Sequence, residues 1–216
     1  MIYIKSVHIE NYKCFENLDI NFNKNVNIIV GNNEAGKSTI LEAINLCLSG
    51  VINNRYLRNE LNEYFFNTKV VKDFLSNSDY PPPKFLIEVY LDSDDLETNK
   101  NLEILKGSMN SRKEDSSGIK LEVCFDDKYQ KEYSIYKQTS DKKAFPVEYY
   151  KIVWSGFSQA EVSTRSIPLK PNVIDASGTK YKNGSDYYIS KIISNQLDSE
   201  DIVELTQAIR GLKEKF

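Results

Sequence analysis

The chain has 216 residues, with 28 lysines and arginines against 31 aspartates and glutamates, a net charge of -3 at pH 7. An apolar fraction of 40% beside 27% charged residues fits a globular chain that can bury a sizeable core, as one large domain or a domain with an insertion. This balance excludes a whole-chain footprint for nucleic acid or anionic lipid, so any such surface has to be local.

Further exclusions come from single residues. His8 is the only histidine, which excludes a histidine-based zinc cluster or a serine-histidine-aspartate site within this chain. Cys14, Cys47 and Cys124 are odd in number and far apart, so they read as reduced, mostly buried thiols of a cytoplasmic protein. The opening "MIYIKSVHIENY" has no apolar signal core, and no run of eighteen apolar residues follows, so no membrane contact is expected.

In chain order, Tyr3 to Glu10, Leu18 to Phe22 and Val26 to Val30 read as strands from their β-branched and alternating patterns. "GNNEAGKS" comes next and satisfies G-x-x-x-x-G-K-[ST] with Gly31, Gly36, Lys37 and Ser38. Chance would place such a match in roughly one chain of this length in a hundred. Its context is also right, because an apolar run precedes it and Ile40, Leu41, Ile44 and Leu48 follow at helical spacing.

The residue types fit phosphate chemistry. Gly31 and Gly36 permit close backbone approach, while Asn32 and Asn33 tolerate left-handed turns, so the loop Gly31-Asn32-Asn33-Glu34-Ala35-Gly36 can curl its N–H groups inward. A helix opening near Lys37 points its positive end at the same place. Lys37 is expected to reach the β- and γ-phosphates and Ser38 to ligate Mg²⁺, with Thr39 adding a phosphate contact. ATP and Mg²⁺ are the cofactors this implies. The plain competitor is a structural glycine turn before a capped helix, which the flanking pattern disfavours. Gly50 reads as the helix stop.

Beyond the loop, Arg55 to Asn77 reads as helical and is closed by Pro81-Pro82-Pro83. "KFLIEVYLD", "IKLEVCFDD", "KEYSIYKQ" and "VEYYKIVWS" read as antiparallel strands, and Lys106 to Gly118 as a flexible loop. Two helices close the chain, near Asp186 to Asn195 and Ser199 to Lys215, the second capped by Asp198 or Ser199. Lys128, Lys131, Lys137, Lys142 and Lys143 interleave with Tyr129, Tyr133 and Tyr136, as a nucleic-acid groove would. Asp126, Asp127, Glu132 and Asp141 lie among them, so a solvated sheet face is the better reading.

A GTPase would carry a guanine-reading N-K-x-D after the loop; "NKNV" precedes it and ends in Val26, and "DSSG" and "DASG" read as turns. The first fifty residues instead resemble the ABC-type ATPases of the SMC and RecF group. There a strand of the form I-x-x-I-x-I-x-N-(F/Y)-(R/K)-x-F, here Ile4 to Phe15, precedes the phosphate loop. "GNNEAGKSTILEAI" and the stretch Asn172 to Phe216 most resemble the OLD (overcoming lysogenization defect) family of ATP-dependent endonucleases.

The resemblance implies an α/β lobe with a mixed sheet around the phosphate-loop helix, an antiparallel β subdomain and C-terminal helices. Its parts would be 1–50 (phosphate-loop core), 51–83 (helical), 84–166 (antiparallel β) and 167–216 (closing helices). It implies a basic residue near the nucleotide at Lys13, with a solvated edge lysine as the equal alternative. It also offers Gln159, after an apolar strand, as a contact to Mg²⁺ and water, against an ordinary strand-end glutamine.

Other parts of the group's machinery are not found. "FLIEVYLDSDD" and "NVIDAS" each place an aspartate after a strand, without the glutamate of a Walker B motif. "LSGV" imitates a signature sequence but ends the phosphate-loop helix, and no acidic set of a Toprim nuclease is visible. The expectation is the front part of a longer protein. By itself the chain would bind ATP with little or no turnover, and whole it would be a homodimeric ATPase-nuclease acting on DNA in phage defence or repair. The alternatives are a non-enzymatic ATP-sensing dimerisation module, an SMC/RecF-like repair ATPase lobe and, disfavoured by the "IENYKCF" strand, a transporter ATPase.

Overall fold

The computed structural model describes residues 1–52, 55–77, 80–94, 100, 102–138 and 145–173. The chain divides into two compact units, Met1–Pro171 and Asn172–Phe216, and only Asn172 and Val173 of the second are described. The two closing helices expected near Asp186 and Ser199, with Asp175, Lys142 and Lys143, lie outside the described residues.

The first unit is α/β. Strands β1 (Ile2–Tyr12) and β2 (Phe15–Asn21) form a hairpin, and helix α1 (Lys37–Ser49) follows the glycine loop. A short hairpin of β3 (Val51–Ile52) and β4 (Arg55–Tyr56) leads to α2 (Leu57–Glu60) and α3 (Thr68–Ser76). Then come β5 (Phe85–Ser93), β6 (Lys106–Gly107), β7 (Ser116–Phe125), α4 (Gln130–Gln138) and β8 (Tyr150–Gly156).

Among the described residues six strands make one sheet in the order β2-β1-β5-β7, with β6 and β8 both pairing β7, and every pairing is antiparallel. Alternation gives the sheet two faces. Val7 and Ile9 of β1, Ile87 and Val89 of β5, and Ile119 and Leu121 of β7 join Ala43, Leu46 and Cys47 of α1 in the core. The Cys47 thiol lies 3.5 Å from the Ile87 carbonyl and 3.4 Å from that of Ile119, so α1 is seated on the middle of the sheet.

On the other face, register aligns His8, Glu88 and Lys120 across three strands. Here the segment after β6 folds back: Ser111 donates from its backbone N–H to the buried Glu88 carboxylate at 3.0 and 3.1 Å and from its hydroxyl at 2.5 Å. Arg112 then reaches Ser6 at 3.0 Å and Asp19 at 2.9 Å, while His8 lies 3.1 Å from the same aspartate. The stretch expected as a flexible loop, Lys106 to Gly118, is thus tied down, and β6 and the start of β7 lie within it.

Four further expectations change. Val26 to Val30 forms no strand, since a strand exists through its hydrogen-bonded neighbour and none pairs with this run among the described residues. Val26, Ile28 and Val30 are instead 76%, 82% and 82% exposed. "KEYSIYKQ" is helix, because Tyr133 and Tyr136, three apart, share one face and pack on Phe125 and Tyr149. Arg55 to Asn77 is not one helix: Asn62 and Asn67 each accept from the N–H two residues on, at 3.0 Å, and start new turns there. Of the thiols only Cys47 is buried; Cys14 is exposed and Cys124 half-buried. No helix among the described residues is long and apolar enough to cross a membrane.

Candidate functional site: the glycine loop and its clamp

Helix α1 begins as the spacing predicts, at Lys37, and stops at Gly50, whose left-handed backbone returns its N–H to the Leu46 carbonyl at 2.8 Å. At the other end Gly36 is left-handed (φ 84°) and supplies no side chain as a cap. Its carbonyl accepts the first helical bond, from Ile40 N–H at 3.0 Å. The first-turn N–H groups of Lys37, Ser38 and Thr39 therefore have no intrahelical partner. No acidic residue occupies the first turn of the helix to offset its dipole there.

The loop before it is a tight turn, with Ala35 N–H donating to the Asn32 carbonyl at 3.3 Å. Its left-handed residues are Glu34 (φ 68°) and Gly36, rather than Asn32 and Asn33. A turn closed by Asn32 and Ala35 has Asn33 and Glu34 at its centre, and it is the second central position that takes positive φ. Gly31 to Ala35 and Ser38 are exposed, and Gly36, Lys37 and Thr39 half-buried. The Lys37 ammonium folds over the loop and donates to the Gly31 carbonyl at 2.7 Å and the Asn32 carbonyl at 2.6 Å. A cation at the mouth, unpaired N–H groups behind it and an accessible hydroxyl fit a Mg²⁺-nucleotide. Lys37, Thr39 and the loop would hold its phosphates, and Ser38 its metal.

Lys13 comes to the same helix. The end of β1 and the turn after it are left-handed at Asn11 (φ 53°) and Lys13 (φ 48°). Lys13 N–H donates to the Phe65 carbonyl at 3.1 Å, and its carbonyl accepts from the Asn67 side chain at 2.9 Å. So fixed, the turn presses on the glycine loop: a Cβ on Gly36 would fall 2.3 Å from the Phe15 ring and 2.9 Å from the Cys14 sulfur. The Lys13 ammonium pairs with Glu42 of α1, and the Tyr12 hydroxyl donates to the same carboxylate oxygen at 2.5 Å. Burial, then the charge of Glu42 and that hydrogen bond, drive the Tyr12 pKa far up, so its hydroxyl remains a donor.

Gln159 is in another place. It occupies a turn after β8, left-handed at φ 69°, with its N–H on the Gly156 carbonyl at 3.0 Å. No hydrogen bond among the described residues joins it to Ser38. β8 does reach α1, but at the far end of the helix, where the Trp154 indole donates to the Cys47 carbonyl at 2.8 Å.

Tyr12 and Phe15, the aromatic positions of the strand pattern that ends at Phe15, complete the site with Cys14 and Glu42, and these last two carry no obvious mark in the sequence. The one signal is spacing: Glu42 follows Ser38 by four, which on a helix is the same face. A cleft of about 560 Å³, lined by Glu10, Lys84, Glu88, Ser111, Lys120 and Glu122 among others, contains none of the loop residues. Lys84 and Lys120 there lie 3.3 and 3.8 Å from Glu122, so these three charges offset one another.

Comparison with known proteins places the chain. The DNA replication and repair protein RecF of Clostridium acetobutylicum is 47% identical over 49 residues, 23% of this chain and 14% of that protein. Structural maintenance of chromosomes protein 6 of Schizosaccharomyces pombe is 37% identical over 51 residues, 24% of this chain and 4% of that one. The retron Ec83 probable ATPase of Escherichia coli is 56% identical over 43 residues, 19% of this chain and 8% of that protein. The chain thus spans a small part of the length of these curated relatives. A solved structure of the recombination mediator protein RecF with ATP aligns over 56% of this chain and 24% of its own, at 21% identity and a TM-score of 0.33. A family model described as an AAA domain matches residues 6–215, nearly the whole sequence, and the chain belongs to that AAA domain family.

Proposed function

We propose that this chain is the ATP- and Mg²⁺-binding lobe of an SMC/RecF-like ATPase that acts on DNA. The observation that carries the reading is the glycine loop itself: a left-handed Gly36, an uncapped thirteen-residue helix behind it, and the Lys37 ammonium folded over the loop carbonyls. In this reading Lys37 and the first-turn N–H groups hold the phosphates, Ser38 holds Mg²⁺, and Lys13 stands beside them. Gln159 would join the metal only on a rearrangement of its turn. The bound group supplies a polarised terminal phosphoryl. The lobe's own residues orient it and offset its charge.

The link to DNA rests on relatives described as DNA replication and repair and chromosome-maintenance proteins. A finer reading makes the lobe part of an OLD-like DNA endonuclease of phage defence or repair, working as a homodimer through its ATPase lobes. Support for it is the likeness of "GNNEAGKSTILEAI" to that family, beside a relative described as a retron ATPase.

Two measurements separate the levels. Titration calorimetry with Mg·ATP is expected to give saturable binding that Lys37→Ala abolishes, and unchanged affinity in the variant would sink the nucleotide site. The protein expressed from its native gene is then assayed for Mg²⁺-dependent cleavage of duplex DNA. Cleavage supports the endonuclease reading, and its absence beside ATP-dependent dimerisation favours a repair-type or sensing lobe.

A further inference from the structure

The clamp on α1 has a property that the phosphate loop alone does not explain. Lys13 has a fixed backbone and a movable tip. Its N–H and carbonyl are both tied to the segment Phe65–Asn67, and only the ammonium is free to choose a partner. That ammonium sits on Glu42, with both side chains 31% exposed, and passes 5.4 Å from the centre of the Phe65 ring. The carboxylate cannot wander: it projects from a helix seated on the sheet, and the buried Tyr12 hydroxyl holds the same oxygen. Glu42 also lies four residues, about 6 Å along the axis, beyond Ser38 on the same face of the helix. One lysine is thus held by a carboxylate of the protein that lies about one turn from the proposed metal ligand.

We propose that Glu42, fixed by Tyr12, is a positioning residue that parks the Lys13 ammonium, and that breaking this ion pair sets how strongly the site prefers a nucleoside triphosphate to a diphosphate. The inference rests on the nucleotide reading of the glycine loop. Its physics is a competition between anions for one cation. A carboxylate of unit charge in a half-buried setting holds an ammonium against weak competitors and yields to a more highly charged one. The additional phosphate of a triphosphate is such a competitor, so Lys13 leaves Glu42 for the triphosphate and stays on it for the diphosphate. The pair is a threshold built into the helix that carries the metal ligand.

The experiment measures Mg·ATP and Mg·ADP dissociation constants by titration calorimetry for the native sequence, Glu42→Asp, Glu42→Gln, and Glu42→Asp combined with Lys13→Met, with a thermal melt of each. Glu42→Asp withdraws the carboxylate by one methylene and keeps its charge. It therefore separates loss of the hold from loss of the field. The hold predicts that Glu42→Asp tightens Mg·ATP about threefold to fivefold, the scale of a partly exposed ion pair. It predicts less than a twofold change for Mg·ADP, and no gain at all when Lys13 is methionine.

Equal shifts for both nucleotides, no shift, or a gain that persists without Lys13 overturns the proposal. So does a gain in Glu42→Gln that Glu42→Asp lacks, since that is a field effect. If Glu42→Asp melts below the working temperature, Glu42→Gln is measured with and without Lys13→Met, and a triphosphate gain of the same size in both again overturns it. Absence of Mg·ATP binding in the native sequence, or binding that survives Lys37→Ala, is failure of the glycine-loop reading instead. The two failures are read from different variants.

Discussion

Gly36 shows how narrow the tolerances are at a single residue. Its φ of 84° suits glycine, and the space a side chain would fill is taken by the Phe15 ring and the Cys14 sulfur. Gly36→Ala therefore incurs backbone strain and a steric clash together, and we expect a loss of about 2–4 kcal/mol in thermal or urea unfolding. A loss below about 0.5 kcal/mol would mean the β1–β2 turn does not press on the loop. Glu34 is left-handed without being glycine, so Glu34→Gly is expected to be neutral or mildly stabilising through relief of that strain. The cysteines divide by environment. The Cys47 thiol is driven up by burial and by the charge of Glu88, which leaves it an inert core group.

Helix α1 joins the site to the core as an element. Ala43, Leu46, Cys47 and Leu48 join the core with the strands and Ile40 is buried too, while Leu41 of the same apolar pattern is 51% exposed. Leu46→Ala is expected to cost about 2–5 kcal/mol, since Leu46 is fully buried, and to weaken nucleotide binding only by lowering the folded fraction. Denaturant midpoints with and without Mg·ATP check this. On the opposite face the strands are tied by charge. Burial opposes ionisation of Asp19, but the bonds from Arg112 and His8 outweigh it and hold its pKa below the ordinary carboxylate value of 3.8. A depressed pKa contributes stability above the unfolded value and loses it as pH falls through the folded one. Asp19→Asn should accordingly be less stable than the native sequence at neutral pH and lose less between pH 5 and about pH 2. Parallel acid curves for the two proteins would refute the pairing.

At the scale of the whole molecule, binding and folding are one equilibrium. Mg·ATP at a hundred times its dissociation constant should stabilise the chain by about 2.7 kcal/mol, and Lys37→Ala should erase the shift in melting temperature. The sequence by itself determined the glycine loop as a turn before a helix, the start of α1 at Lys37, its stop at Gly50, and the run of β5. Each of these depends on local chemistry, such as glycine backbone freedom, helix termini and strand propensity, that a neighbour in the chain suffices to express. Tertiary structure alone decided the rest. Val26 to Val30 has every mark of a strand but makes no ladder among the described residues, because pairing is supplied from outside the segment. "KEYSIYKQ" alternates yet winds into helix, because Phe125 and Tyr149 reward a face with a period of three to four rather than two. Lys13 shows no partner in the sequence, and only the fold brings Glu42, twenty-nine positions later, against it. Long-range contacts of this kind have no local pattern, since their energy belongs to two segments that meet only when the sheet and α1 are packed.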